Sequence, residues 1–547
     1  MSNFTLPRRD LLRFCSYGAA GATLPALSLA AAAKETKTAS GIMAIFDVRT
    51  YGATGDGKTV DTPAVNRAIE AAAAAGGGLV LFPAGTYLCF SIHLKSYVHL
   101  HFEQGATILA ADSPAPDATT GYNGGTYDAA EPKTEWDAYQ DYGHNHWHNS
   151  LIWGEDIHDF SITGSGLIYG KGLSFGAGRR PRGNYPVYIA EQAGVGNKSI
   201  ALKNCRNVLL RDFSVLKGGH FALLATGVDN LTIDNLTIDT DRDGLDIDCC
   251  QNVRVSNCFV NSPWDDGICP KSSYALGYAR ATRNMTITNC WVAGCYELGT
   301  VLDGTFKKFA PDVHVPHNGR IKYGTESNGG FINTTISNCV FEGCQGLALE
   351  SSDGALLEDC TITNITMRDL VTGPFFLRLN ARLRGPKETT KVGTLRRVLI
   401  SNVTSYNSVN RGSILSGIPG YPIEDVKLSN IYVEQVGGGT AEDAKIQVPE
   451  LVDGYPDPGR FGQIPSTGFF LRHMKNLEMS HVEVATAAPD ARPAFYLDDV
   501  ERADFFAVTA ARGADGAFAL NGVKDLRIGW SRAAADTVLA SADNKTL

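Results

Sequence analysis

Apolar and polar residues alternate in short runs along most of this chain, and the runs repeat. NVLLRDFSV from Asn207, NLTIDNLTI from Asn230, NVRVSNCFV from Asn252, NMTITNCWV from Asn284 and NTTISNCVF from Asn333 share one pattern. ALLEDCTIT from Ala355, RVLISNVTS from Arg397, DVKLSNIYV from Asp425 and NLEMSHVEV from Asn476 continue it. Alternation over so few residues predicts a short strand with one buried face. The first starts lie 23 and 22 residues apart, and the wider later gaps fit repeats carrying loop insertions. Strands at that period, without long helices, predict an all-β parallel solenoid. A β-sandwich has no reason to repeat one pattern. Asn235, Asn257, Asn289 and Asn338 fall where the chain should turn and are expected to hydrogen-bond up the stack. Cys258, Cys290 and Cys339 follow them as small apolar residues.

The pattern changes before the repeats. FDVRTYGATGDGKTVDTPAVNRAIEAAAAAGGG reads as a strand, a Gly-rich turn and an amphipathic helix. Asp61 is the expected N-cap, Pro63 suits the first turn and Gly76 ends the helix. Val65, Ala68, Ile69 and Ala72 form its buried stripe. A helix here, within a cap spanning about residues 46–85, would cover the unpaired strands at the solenoid's end. GATGDGK lacks the spacing of a phosphate-binding loop.

The same periodicity places chemistry. Asp243 opens an Asp-Gly-x-Asp, and Asp265 and Asp266 follow 22 and 23 residues later, one local repeat on. Neighbouring strands lie roughly 4.7–4.9 Å apart, so the three carboxylates would share one patch. Carboxylates flanking one bond are what glycoside hydrolysis requires. Adjacent strand residues point to opposite faces, so Asp265 and Asp266 reach one cleft together only at a bend or bulge. Pro263 and Trp264 fit such a bend. Asp246 and Asp248 read as structural.

The amino terminus has adjacent arginines, Arg8 and Arg9, then an apolar Ala-rich run to Ala33. That is an export signal over residues 1–33, of twin-arginine type, with a membrane anchor as its rival. The expected location is periplasmic or secreted, with residues 34–547 as a single β-helix catalytic domain and no membrane association after cleavage. The formal charge is −9, and loss of residues 1–33 would make it −11. Such a chain has no general attraction for polyanions, which excludes nucleic acid as a partner. No C-x-x-C pair is present, and no metal or cofactor is predicted. His144, His146 and His148 read as polar loop residues, since no carboxylate spacing near them supports a metal.

The motifs together resemble glycoside hydrolase family 28, the polygalacturonase family. YGATGDGKTVDTPAVNRAI, SITGSGLIYGKG, DGLDID, DDGI and the repeats carry the resemblance over roughly residues 46–485. It implies a right-handed parallel β-helix that hydrolyses pectin chains with inversion. The family's Asn-Thr-Asp-Gly-x-Asp stands here as Asp241-Arg242-Asp243-Gly244-Leu245-Asp246, and its Asp-Asp-Cys-Ile-Ala-Ile-Lys as Asp265 to Lys271. By that match Asp265 is the general acid, and Asp243 and Asp266 position and deprotonate the water. An inverting site of this kind is expected to leave about 6.5–9.5 Å between acid and base.

Two departures bear on the substrate. The family's Gly-His-Gly is displaced, with His317 a distant substitute, and its Arg-Ile-Lys is expected where this chain reads Gly346-Leu347-Ala348-Leu349-Glu350. Glu350 would repel a uronate unless protonated or paired. Arg320 and Lys322, which share one strand face, and Arg378 are expected to supply the missing cations, Arg378 by bidentate contact with a carboxylate. Arg382 and Arg384 are divided between that role and surface charge. Loops at about 117–153, rich in Tyr and Trp, and at 296–319 and 437–467 are expected to close one end of the groove and favour attack at chain ends. The partner is thus an acidic plant polysaccharide, of galacturonan or rhamnogalacturonan type, or its oligosaccharides. A β-helix lyase and a non-catalytic polysaccharide-binding β-helix remain open beside the hydrolase.

Overall fold

Parallel strands stack coil upon coil along the chain. The computed structural model describes residues 44–176 and 187–547; the export signal read at 1–33 lies outside the described residues. A representative coil runs Arg206–Arg211, Ser214–Leu216 and Phe221–Thr226. Its three strands pair in parallel with Asp229–Asp234, Thr237–Asp239 and Asp243–Asp248 of the next coil. Alternating residues fill the interior: Val208, Leu231 and Val253 stand in register, as do Leu210, Ile233 and Val255, and all six are buried. This is the parallel β-helix that the repeat predicts.

Asparagines turn the coils. Asn235, Asn257, Asn289 and Asn338 have φ between 53° and 56°, a left-handed conformation Asn tolerates better than most side chains. Asn364 donates to Asn338 at 3.0 Å and Asn430 to Asn402 at 2.7 Å. Asn235 and Asn257 instead donate to Asp212 and Asp234. The eleven cysteines among the described residues are all buried and free of disulfides.

The helix Thr62–Ala74 packs Ala64, Val65, Ala68, Ile69 and Ala72 inward. Asp61 precedes it, but caps nothing with its side chain. In an αR conformation, it accepts from Thr54 N at 2.7 Å and Gly55 N at 3.0 Å, and so fastens the Gly-rich turn. At the other end Thr537–Ala542 pairs antiparallel with Val523–Gly529 and covers the last coils. No helix among the described residues is long and apolar enough to cross a membrane.

One face of the stack positions the site. Asp243–Asp248, Ile268–Lys271, Leu347–Ser351 and Phe375–Leu379 are buried at every residue. Burial on both faces means that the outward side chains lie under loops.

Candidate active site

The site sits where two coils turn. Strand Asp243–Asp248 pairs with Ile268–Lys271, Leu245 opposite Ile268 and Asp248 opposite Lys271. Residues 263–267 form the turn before the second strand, which is the bend that lets adjacent aspartates face one cleft. Gly244 N donates to Asp266 O at 3.0 Å and Leu245 N to Gly267 O at 2.9 Å. The coils approach so closely that a Cβ on Gly244 would lie 2.4 Å from Gly267 O, and one on Gly267 2.9 Å from Gly319 O. One oxygen each of Asp243, Asp265 and Asp266 lies within 4.8 Å of the others. That is the separation of one oxygen from each, whereas the 6.5–9.5 Å of a water-spaced pair is counted between whole carboxyl groups. Two oxygens at such a distance can still share one water at ordinary hydrogen-bond lengths.

The three aspartates differ in surroundings. Asp266 accepts from Arg320 Nε at 2.9 Å and Lys322 Nζ at 3.0 Å. Burial works to raise its pKa, but the charges of Lys322, Arg320 and Lys271 overcome this and hold it far below the usual carboxylate range. Burial pushes Asp243 up to about 7, with the charge of Asp265 adding to the effect and Lys271 and Arg242 opposing it. Asp265 is less buried and meets Arg242 Nη2 at 2.9 Å. Burial and the neighbouring carboxylates thus favour a shared proton in the cluster.

The expected substrate cations fare differently. Arg320 and Lys322 do reach the cluster, but both are buried and their charge is bound to Asp266. Glu350 lies fully buried beside them, accepts from Thr325 Oγ1 at 3.2 Å and is pushed by burial up to about 7 against the pull of Lys322 and Arg320. Arg378 does not read substrate. It is inaccessible, and its guanidinium donates to the carbonyls of Ser416, Gly417, Glu450 and Leu451 and to Ser416 Oγ. It holds the 437–467 loop against the coil, and Arg472 does the same through the carbonyls of Val448 and Pro449. Arg382 pairs with Asp353, and Arg384 reaches Asp141 at 3.3 Å. His317 turns its Nδ1 to the carbonyl of Gly294 at 2.8 Å.

Loops wall the cluster. Tyr455, 41% exposed, brings its hydroxyl to 3.4 Å from Lys322 Nζ. From the 117–153 insertion, Trp147 packs on Ala201, Phe221, Leu224 and Ala275, while His144 lies over Phe221, its Nε2 3.9 Å from Asp246 and 3.8 Å from Glu326. The three histidines share no strand face, and carboxylates do stand near each of them: Asp141 and Glu326 by His144, Asp137 by His146, Glu131 and Glu155 by His148. Burial lowers His144 to about 4, with Glu326 opposing. Burial likewise raises Asp246 well above the usual range, and Lys271 meets Glu326 at 3.3 Å. Asp248 accepts from the Ser273 amide and hydroxyl and shapes a turn. Sequence reasoning missed Arg242 and Tyr455, and read His144 only as a polar loop residue. For Arg242 the signal was present, an arginine where the resembled motif has threonine.

Known proteins resemble this chain in sequence and fold. A family model described as rhamnogalacturonase A/epimerase, pectate lyase-like, matches residues 45–134, and one for a right-handed β-helix region matches 198–373. A probable polygalacturonase of Vitis vinifera is 22% identical over 407 residues, 70% of this chain and 73% of that protein. The exo-poly-α-D-galacturonosidase of Dickeya chrysanthemi is 27% identical over 238 residues, 43% of this chain and 35% of that protein. The chain is polygalacturonase-like. Its fold is shared with the family 28 exopolygalacturonase of Yersinia enterocolitica, with a TM-score of 0.56, 20% identity and coverage of 84% of this chain and 78% of that one. In this polygalacturonase-like chain the handedness of the coil is thus right-handed, as the resemblance implied.

Proposed function

We propose that this hydrolase cleaves a pectin-derived glycan with inversion, from the chain end, using Asp243, Asp265 and Asp266 and no metal or organic cofactor. The observation that carries the reading is the meeting of three carboxylates, from turns of adjacent coils, within 4.8 Å. They are not equivalent: Asp243 is held up to about 7 while Asp266 is held far down. Such a division is what supplies an acid and a base at one pH. In the reaction a carboxyl proton passes to the glycosidic oxygen as its bond to the anomeric carbon breaks. A water oxygen bonds to that carbon from the opposite face, and the water's proton passes to a carboxylate. One water is consumed per bond. Asp266, with both oxygens fixed by Arg320 and Lys322, is suited to orienting the water and ill suited to forming a covalent intermediate.

End-on attack is supported by the loops. Tyr455 from 437–467 stands beside Lys322, and the Arg384–Asp141 contact ties the 117–153 insertion to the coil beyond the site. The name of the Dickeya relative agrees with that mode. For the sugar, galacturonan and rhamnogalacturonan both fit the relatives. A neutral sugar such as rhamnose at the cleavage point is favoured by the burial of Arg378 and by Glu350 standing where the resembled family has a cation. We also propose export by the twin-arginine route, which Arg8→Lys with Arg9→Lys would block.

Incubation with polygalacturonate and with rhamnogalacturonan tests the reading. Reducing ends should appear without ultraviolet-absorbing product, small products should dominate from the start, and proton NMR should show the inverted anomer first. An absorbing product would mean elimination by a lyase. Binding without new reducing ends would mean a non-catalytic protein.

A further inference from the structure

We propose that the concave corner running up the last coils to Phe506 and Trp530 is a second glycan-binding site. It takes an uncharged polysaccharide chain and lies apart from the three aspartates. The choice of a glycan as occupant rests on the polygalacturonase-like character of the chain.

The corner can be followed coil by coil. Asn402, Asn430, His481, Ala507 and Trp530 stand one residue after Ser401, Ser429, Ser480, Phe506 and Gly529, which are in register. All five corner residues have φ between 53° and 56°. Lower down, the corner is a ladder, Asn402 donating to Asn364 at 3.2 Å and Asn430 to Asn402 at 2.7 Å. Then the pattern breaks. A left-handed backbone suits asparagine and is unfavourable for a bulky side chain, yet Trp530 adopts it and is 80% exposed. One residue before the corner, the serines of three coils give way to Phe506, 45% exposed. The rings form a row, with centroids 5.8 Å apart for His481 and Phe506 and 6.2 Å for Phe506 and Trp530. Trp530 thus combines backbone strain with bare apolar surface, and burial offsets neither. Strain of this kind persists where it serves a ligand.

The space beside the rings fits a sugar chain. The corner from Asn402 to Ala507 lines a groove of about 440 Å³ together with Thr404, Tyr432, Glu483 and Thr509. Amide, hydroxyl and carboxylate groups there can exchange hydrogen bonds with sugar hydroxyls, while an aromatic ring covers the apolar face of a sugar. Charge selects among glycans. Glu483 lines the groove, and no lysine or arginine does among the described residues. Nearby Lys427 is bound to Glu478 at 2.8 Å. A polyuronate is therefore repelled and a neutral chain is not. Traced down the stack, the same corner is Asn235, between Asp229–Asp234 and Thr237–Asp239. Asp243 opens the third strand of that coil. The groove is thus separate from the cleft.

Affinity electrophoresis of the full chain in gels holding galactan or polygalacturonate tests the site, with tryptophan emission recorded alongside. Galactan should retard the wild type and shift its emission. Trp530→Asn, which restores the residue of the lower coils, should weaken galactan binding at least tenfold and abolish the shift. Its melting temperature should equal or exceed that of the wild type, since asparagine tolerates the left-handed turn. Phe506→Ser should weaken galactan binding in the same direction, and polygalacturonate should bind all three proteins alike. A wild type that galactan does not retard would overturn the proposal, as would galactan binding unchanged in both variants. A lower melting temperature in Trp530→Asn would make the ring a packing residue and overturn it too. Sedimentation velocity addresses the other occupant. A wild-type dimer that Trp530→Asn dissolves, with no response to galactan, would make the corner an interface between copies of the chain. No turnover enters these measurements, so a chain inactive on every glycan would remove the hydrolase reading and leave the corner to be judged on its own.

Discussion

Lys322 Nζ stands 3.0 Å from Asp266 Oδ2, with both side chains all but closed to solvent. Arg320 holds the other oxygen, so one carboxylate answers two buried cations. Desolvating three charged groups is costly, and only their mutual contact offsets it. The arrangement fixes the carboxylate as an anion beside Asp243 and Asp265.

Removing one cation should therefore expose the cost. Arg320→Met is expected to lower stability by about 3–5 kcal/mol at pH 6, the loss typical of breaking a buried ion pair. Because Asp266 is held below its ordinary pKa, its contribution is present above that ordinary value and fades as pH falls through the folded one. The difference between wild type and variant should therefore shrink below about pH 4. Urea unfolding at several pH values measures it, and a gap that widens in acid would contradict this account.

Asp243 and Asp265 should matter to turnover more than to folding, whereas Asp266→Asn also unpairs two buried cations and should cost stability as Arg320→Met does. Asp243→Asn, Asp265→Asn and Asp266→Asn are each expected to lower kcat/KM by about 10²–10⁴-fold, the range of general acid–base contributions. Near-ultraviolet circular dichroism of Asp243→Asn and Asp265→Asn should remain that of the wild type. A variant keeping more than about a tenth of the activity would leave the acid–base set.

Arg378 carries a different expectation from the one its sequence position invites. With its hydrogen bonds made to backbone carbonyls and one serine and its guanidinium over the Phe461 ring, Arg378→Ala should loosen the 437–467 loop. It should cost several kcal/mol, since buried acceptors lose their donors. Losses of kcat/KM on polygalacturonate and on a neutral glycan should match within about threefold, which is under 0.7 kcal/mol of discrimination. A selective loss on the charged substrate would return Arg378 to the cleft.

The contrast shows what repetition makes legible. Asp243, Asp265 and Asp266 could be placed because spacing equals one coil, and register then follows without knowing any loop. The asparagine turns followed from the same period. Arg378 misled because alternation tells which side of a strand a residue takes, not what lies over it. Its acceptors Glu450 and Leu451 come from a loop 72 and 73 residues away. His144 was hidden for the same reason, in an insertion that folds back on Asp246 and Glu326. Asp61 took its cap position, but its backbone turned the carboxylate onto the glycine-rich turn.

Glu350 makes the charge of the substrate testable through pH. Burial holds it up to about 7 beside Arg320 and Lys322, so it is neutral in mild acid and anionic in mild base. Its pKa is raised on folding, so it contributes stability that is complete below its unfolded value, near 4.5, and is lost as pH rises through about 7. The melting temperature of wild type should accordingly fall relative to Glu350→Gln between pH 5 and pH 8. The same ionisation adds a negative charge behind the site cations. The ratio of kcat/KM on a uronate glycan to that on a neutral one of the same linkage should therefore decline over that interval in the wild type. In Glu350→Gln it should stay level, because the amide cannot ionise, and taking a ratio cancels the titration of the three aspartates common to both substrates. A ratio equally level in both proteins would show that Glu350 acts on the fold alone. The choice between a uronate and a neutral sugar would then rest on the net charge of Arg242, Arg320 and Lys322 against Asp265 and Asp266.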